Sequence, residues 1–261
     1  MSGLRVERSG GVARVTLDRP EVRNAFNAEL IAELHATFGA LAAEAPADLR
    51  AVVLAGAGRS FCAGADIEWM RASLGLSLAE NEADAGRMAD MFAAIDACPV
   101  PVVARVQGAA LGGGMGLCAV ADVVVATEDC LFGFTEAKLG ILPAVIAPFV
   151  LAKIGESAAR RFFVTAERFS AERAREMGLV HEVVADEAAV DERVAAVLAE
   201  IGSAGPTAAR VAKSTIRDLR RRSADEARAL TVERIAGQRT SAEGQEGLAA
   251  FLEKRRPAWH D

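Results

Sequence analysis

Two short apolar runs, residues 51–55 and 102–106, each pass directly into a stretch of small residues rich in glycine. The first run (AVVLA) is wholly apolar, and only Arg105 interrupts the second (VVARV). Runs of this kind are buried on both faces, as strands are in parallel sheets covered by helices. Helical spacing fills the intervals. Leu30, Ile31, Leu34, Phe38 and Leu41 recur over residues 28–43 behind the capping residue Asn27, and a polar helix over 80–97 ends before Pro99. A helix over 114–120 and strands at 122–126 and 131–134 follow. At the start, residues 4–8 and 12–17 alternate around Ser9-Gly10-Gly11 as a β-hairpin does. The order strand–helix–strand, repeated, specifies a layered α/β fold with parallel pairing. Beyond residue 185 the pattern is helical at 186–202, 206–221, 223–239 and 242–255. The expected division is therefore a core over 1–185 and a helical region over 186–261.

Composition narrows the function. Apolar residues make up 52% of the 261, enough for a substantial core, and the net charge of −6 repels a phosphate backbone on average. Aromatic residues, at 5%, are too few for base stacking, so nucleic acid is not an expected partner. Residues 1–10 lack an apolar signal core, and no apolar run approaches the ~18 residues that span a bilayer. Cys62, Cys98, Cys118 and Cys130 form no C-x-x-C pair, and three scattered histidines do not make a metal site. Reduced thiols in the cytoplasm, no membrane and no metal are the expectations.

Three places carry chemistry. Arg59-Ser60-Phe61-Cys62-Ala63-Gly64-Ala65-Asp66-Ile67 follows the first strand and brings bare backbone N–H groups to the edge where α/β sheets bind ligands. Asp66 is placed to cap the next helix. A tight crossover would explain the same glycine. Gly108-Ala109-Ala110-Leu111-Gly112-Gly113-Gly114-Met115-Gly116 follows the second strand and opens a helix, whose unpaired N–H groups and dipole stabilise negative charge. Close backbone packing is the other reading of its three consecutive glycines. Glu136 stands just beyond an apolar strand among Phe134, Leu139, Ile141 and Leu142, where burial would raise its pKa toward neutrality; pairing with Lys138 is the alternative. Known glycine motifs do not fit. A dinucleotide fingerprint starting at Gly112 needs glycine at Leu117, no Gly-Lys-Ser/Thr follows for a P-loop, and there is no G-x-S-x-G. Taken together, two N–H donors for a carbonyl oxygen and one carboxylate for a neighbouring carbon describe enolate chemistry.

These residues resemble the crotonase superfamily, also called the enoyl-CoA hydratase/isomerase family, over about residues 4–255. The likeness rests on Arg19-Pro20 with Asn24-Ala25-Phe26, on Ser60 to Ile67, on Gly108 to Gly114 with Ala121-Asp122, and on Phe132-Gly133 through Gly140-Ile141-Leu142-Pro143. It implies a spiral core of repeated β-β-α turns with C-terminal helices that build a trimer or a hexamer of two trimers. It also implies that Ala65 and Gly113 supply the oxyanion-hole N–H groups and that Glu136 is a catalytic carboxylate. Arg23, Ala25, Ala63, Asp66, Ile67 and Gly112 stand where the family holds coenzyme A. Phe251 and Lys254 resemble the C-terminal helix that approaches a neighbour's nucleotide. Coenzyme A enters as part of an acyl thioester substrate, with no separate cofactor.

One departure bears on the reaction. Two-glutamate hydratases carry a water-activating glutamate where this chain has Gly116. The stretch Leu142-Pro143-Ala144-Val145-Ile146-Ala147-Pro148 is also bulkier than in many hydratases, and with residues 160–169 it resembles bacterial methylglutaconyl-CoA hydratases. The leading expectation is a lyase that hydrates a short, branched or carboxylated enoyl-CoA. An isomerase moving a double bond with one carboxylate is the first alternative, and a non-catalytic scaffold that binds CoA esters is the second.

Overall fold

The computed structural model describes residues 3–44, 48–220 and 222–260. Its strands are β1 (Leu4–Ser9), β2 (Val12–Leu17), β3 (Ala51–Gly56), β4 (Val102–Val106), β5 (Ala109–Leu111), β6 (Val123–Thr127), β7 (Leu131–Gly133), β8 (Arg168–Ser170) and β9 (Glu182–Val184). The helices are α1 (Ala28–Ala42), α2 (Ile67–Ser73), α3 (Leu78–Asp96), α4 (Gly113–Val120), α5 (Ala147–Thr165), α6 (Ala171–Glu176), α7 (Glu187–Ser203), α8 (Pro206–Leu219), α9 (Ala224–Thr240) and α10 (Ala242–Leu252).

Alternation along the central strands decides what packs on each face. Val52 and Leu54 of β3, with Val102 and Ala104 of β4, join one core with Leu30, Leu34 and Phe38 of α1 and Met91, Phe92 and Ile95 of α3. Their neighbours Val53, Val103 and Val125 point the other way and pack on Val190 and Val194 of α7. A period of two on a strand covered on both sides produces this division. The main sheet has the order β1-β2-β3-β4-β6-β9, antiparallel only at the β1–β2 hairpin. A smaller sheet, β5-β7-β8, pairs β5 with β7 in parallel. The layered α/β expectation with parallel strands agrees with this arrangement.

Local chemistry sets the helix boundaries. Asn27 Oδ1 accepts from the Leu30 N–H at 2.9 Å and starts α1 as expected. The start of α3 falls at Leu78, two residues before the expected 80, because Ser77 and Glu80 form a reciprocal capping box. Residues 109–111, expected to be loop, form β5 instead. Short strands of small residues carry little pattern of their own and are fixed by their partners. Helix α5, interrupted at Gly155, was also not expected from the pattern, and neither were β8, α6 and β9. The C-terminal helices fall close to their expected spans. Arg221, at the expected end of the second, lies outside the described residues, as do Met1 and Asp261 at the ends of the expected core and helical region.

Gly108, between β4 and β5, has a φ of +66°, and a Cβ there would lie 1.9 Å from the Arg59 carbonyl oxygen. The missing side chain lets the two glycine-rich segments come this close. Gly108→Ala should therefore lose on the order of 3 kcal/mol of stability, combining left-handed strain with backbone overlap. Urea unfolding of the variant checks this, and a midpoint equal to the wild type would contradict it.

Candidate active site

Main-chain hydrogen bonds between distant segments build the site. Phe61 N–H donates to Gln107 O at 2.9 Å, Cys62 N–H to Ala109 O at 3.0 Å, and Leu111 N–H back to Cys62 O at 3.0 Å. Cys62 and Ala110 thus form a parallel bridge between the two glycine-rich segments. Phe26 extends the ladder on one side: its N–H donates to Gly64 O at 2.7 Å and its carbonyl accepts from Asp66 N–H at 2.8 Å. In that pattern Ala65, the residue bridged to Phe26, turns its own N–H away from Phe26. The N–H of Gly113, in the first turn of α4, likewise has no protein acceptor among the described residues. On the other side Gly112 N–H donates to Gly133 O at 3.0 Å, which brings the end of β7, and Glu136 just beyond it, beside the same helix start.

Polar side chains staple this ladder from behind. Asn24, fully buried, accepts from Arg19 N–H at 2.9 Å through Oδ1 and donates through Nδ2 to the Ala57 and Ser60 carbonyls, both at 2.8 Å. Arg19 donates to Ala25 O at 2.6 Å and to Asp66 Oδ2 at 2.8 Å. Burial alone would raise the Asp66 carboxyl, but the Arg19 hydrogen bond and the Glu68 N–H hold it below its usual range. Asp66 is thereby an ionised cap on α2, with its side chain occupied. Cys62 lies in the same ladder, where burial pushes its thiol up to about 12, so it is no nucleophile.

Glu136 opens a single 3₁₀ turn after β7. Its Oε2 is shielded from solvent and has no hydrogen-bond partner among the described residues, and it makes no ion pair with Lys138. Burial raises its pKa above the ordinary glutamate value, and its own backbone N–H offsets this only in part. Gly112, with φ +50°, makes room for this carboxylate: a Cβ there would stand 3.4 Å from Oε1. The next two glycines serve other close approaches, since a Cβ at Gly113 would meet the Phe26 ring at 2.6 Å and one at Gly114 the Cys62 carbonyl at 2.5 Å. Close packing and exposed N–H groups, the two sequence readings of this segment, hold together.

Ala65, Gly112, Gly113 and Glu136 line one cavity of about 440 Å³, and Ala63 lines it too. The far wall comes from residues the sequence did not single out: Trp69 and Met70 of α2, and Asn81, Asp84 and Met88 of α3. The last three recur at i, i+3 and i+7, a spacing that a mainly polar helix hides. Leu142, Val145 and Ile146 close the cavity, as the bulk of 142–148 suggested. Gly116 is absent from the lining. A Cβ there would meet Ile146 Cγ2 at 2.4 Å and Phe92 Cζ at 2.6 Å, so apolar side chains fill the space where a second glutamate would need to start.

The remaining residues expected at coenzyme A are not all brought together in one chain. Ala25 is buried behind the ladder and Arg23 is exposed beside it, with its carbonyl accepting from Ala63 N–H at 3.0 Å. Ile67 is exposed at the start of α2. Phe251, 80% exposed near the end of α10, and Lys254 just after it are not part of the cavity wall.

Comparison with known proteins places this geometry in a family. The family model for enoyl-CoA hydratase/isomerase matches residues 7–261. A probable enoyl-CoA hydratase of Rhodobacter capsulatus is 36% identical over 258 residues, covering 97% of this chain and 96% of its own length. The crystal structure of an enoyl-CoA hydratase from Mycobacterium smegmatis superposes with a TM-score of 0.94 at 35% identity, over 99% of both chains. That of AtuE from Pseudomonas aeruginosa does so with a TM-score of 0.96 at 37% identity, over 99% of this chain and all of that one. The chain has the crotonase fold and belongs to the enoyl-CoA hydratase/isomerase family of enzymes.

Proposed function

We propose that this enzyme hydrates an enoyl-CoA through a main-chain oxyanion hole and one buried carboxylate. A buried Glu136 oxygen and two N–H groups, none with a partner among the described residues, share one cavity, and this carries the reading. The thioester oxygen sits between the N–H groups of Ala65 and Gly113, and each donor of this kind is typically worth ~2.7–4 kcal/mol as charge develops. The start of α4 adds its dipole. As water adds at the β-carbon, the double-bond electrons move toward the thioester oxygen, and Glu136 in its protonated form gives its proton to the α-carbon. A raised pKa keeps more of it protonated than an ordinary glutamate.

Trp69, Met70, Met88, Leu142 and Val145 suit a short or branched acyl chain. No Lys, Arg or His lines the cavity among the described residues, so uncharged esters rank ahead of carboxylated ones such as methylglutaconyl-CoA. Four free, buried cysteines suit a reducing cytoplasm. Large apolar side chains left exposed on the surface, among them Val164 at 77%, Phe251 at 80% and Leu252 at 78%, favour a trimer or a dimer of trimers. Arg23, Ala63, Asp66, Ile67 and Gly112 hold the coenzyme in this reading, and Phe251 and Lys254 reach the nucleotide of a neighbouring subunit.

Isomerisation is the second reading, favoured by the apolar plug at Gly116: one ionised carboxylate can take a proton at one carbon and return it at another. The two readings demand opposite protonation of Glu136 in the free enzyme. Hydration kcat/KM should fall as pH rises through the Glu136 ionisation, whereas isomerisation should fall as pH drops through it, in both cases above the ~4.3 of an unperturbed glutamate. Product analysis of α,β- and β,γ-unsaturated esters across pH separates them. Glu136→Gln should retain CoA-ester binding while turnover falls ~10²–10⁴-fold; turnover like the wild type would end both readings. Light scattering should give three or six times the 27.3 kDa of one chain.

A further inference from the structure

Hydration needs a group that holds and deprotonates water, and the usual place for one is closed here. The α-carbon of Gly116 is walled off by Phe92 and Ile146. Among the described residues lining the cavity, only two can titrate as acids, Glu136 and Asp84. Asp84 projects from the face of α3 that also carries Asn81 and Met88 into the lining, and its side chain is only 15% exposed. One oxygen, Oδ1, accepts from Arg87 Nη2 at 2.7 Å, and the other has no hydrogen-bond partner among the described residues. Arg87 itself is 58% exposed, so its charge reaches solvent. Asn81 Nδ2 is spent on the Leu76 and Ser77 carbonyls at 3.2 and 3.1 Å, which leaves its Oδ1 as an acceptor beside Asp84. An ion-paired carboxylate and an amide, each with one oxygen free among the described residues, stand on a mainly apolar wall where Ser73 donates its hydroxyl proton to Met70 O, and together they make a place for water.

We propose that Asp84 is the second carboxylate of the reaction and activates the attacking water, with Asn81 accepting that water's other hydrogen. This rests on the hydration reading above. The water O–H proton passes to the Asp84 carboxylate as the oxygen bonds to the β-carbon. The π electrons become the enolate, its oxygen held by the Ala65 and Gly113 N–H groups. Glu136 then protonates the α-carbon from its carboxylic acid. Asp84 ends protonated and Glu136 ionised, and one proton returns from Asp84 to Glu136 through solvent. Asp84 carries an arginine partner that reaches solvent, whereas Glu136 is desolvated and its Oε2 has no partner among the described residues. Two carboxylates in different environments thereby take the base and acid roles.

Two reactions of the same enzyme separate this role from a structural one. Exchange of the α-hydrogen of butyryl-CoA in deuterium oxide needs Glu136 and the oxyanion hole but no water addition. In Asp84→Asn, hydration should fall ~10²-fold or more, as expected for loss of a general base, and by at least ten times more than the exchange falls. Asp84→Glu should recover part of the hydration, and Arg87→Gln should lose less than Asp84→Asn. Equal losses of hydration and exchange in Asp84→Asn would overturn the proposal, as would Arg87→Gln matching that variant. A wild type that exchanges the α-hydrogen yet hydrates no enoyl-CoA ester overturns the hydration reading itself, and Asp84's role with it. A wild type that hydrates, with Asp84→Asn doing so equally well, overturns the Asp84 role alone.

Discussion

The bridge between Cys62 and Ala110 is the constraint on which the site depends. Alone, neither glycine-rich segment has a reason to hold one shape, and each backbone bond between them contributes only about 1 kcal/mol net. Inside the protein, however, an unmade bond strands a buried donor or acceptor, so the ladder forms as a whole or not at all. Asn24 enforces this from behind by bonding to the strand end at Ala57, to Ser60 and to Arg19 together. Once Phe26, Ala65, Cys62, Ala110 and Phe132 lie in register, the N–H groups of Ala65 and Gly113, unpaired among the described residues, share a cavity with the Glu136 carboxylate without any side chain having to choose a rotamer to place them.

The apolar plug at Gly116 has two consequences at once. Phe92 and Ile146 occupy the room a second glutamate would need, and Ile146 also belongs to the wall of the same cavity. Phe92, fully buried, meets Phe26 edge-on with ring centroids 6.1 Å apart, and Phe26 in turn backs Gly113. In the proposed mechanism this apolar packing backs an oxyanion donor and lowers the local dielectric. Both effects strengthen the hold on developing charge. What the cavity lacks is a polar group near α4, so under the hydration reading whatever handles water comes from the other helices that line it.

Much of this was legible in the residues because backbone needs leave compositional traces. Gly108, Gly112 and Gly113 could be read as close approach or exposed N–H because their segment holds three consecutive glycines, which are costly in chain entropy, and Glu136 as a desolvated carboxylate because of its apolar neighbours in sequence. The hairpin, α1 and the parallel strands followed from period and caps. Strand β5 escaped because Ala-Ala-Leu has no pattern of its own and becomes a strand only by pairing with β7. Helix α5 was not read from the sequence; Pro148 falls in its first turn, where a missing N–H costs nothing, and Gly155 interrupts its helical period. The wall formed by Asn81, Asp84 and Met88 escaped for another reason: on a helix facing solvent and cavity together, polar spacing does not tell which face meets a ligand.

A division of labour follows from where each kind of group originates. The proposed charge-stabilising donors are main-chain N–H groups, which any residue of suitable backbone can supply, so in that role Ala65 and Gly113 contribute geometry more than identity. The rest of the cavity lining consists of side chains on α2, α3 and residues 142–146, outside the ladder, and in the proposed function these select the acyl group and hold water. Substitutions there change cavity shape and polarity without disturbing the Cys62–Ala110 bridge, whereas a side chain added at Gly108 or Gly114 would strike the backbone of Arg59 or Cys62 and pull the donors apart. The fold can thus hold enolate stabilisation constant while the reaction completed on the enolate varies with a few residues of two helices. Under the proposed mechanism, the choice between adding water and moving a double bond rests on Asp84 of α3 together with the apolar plug at Gly116.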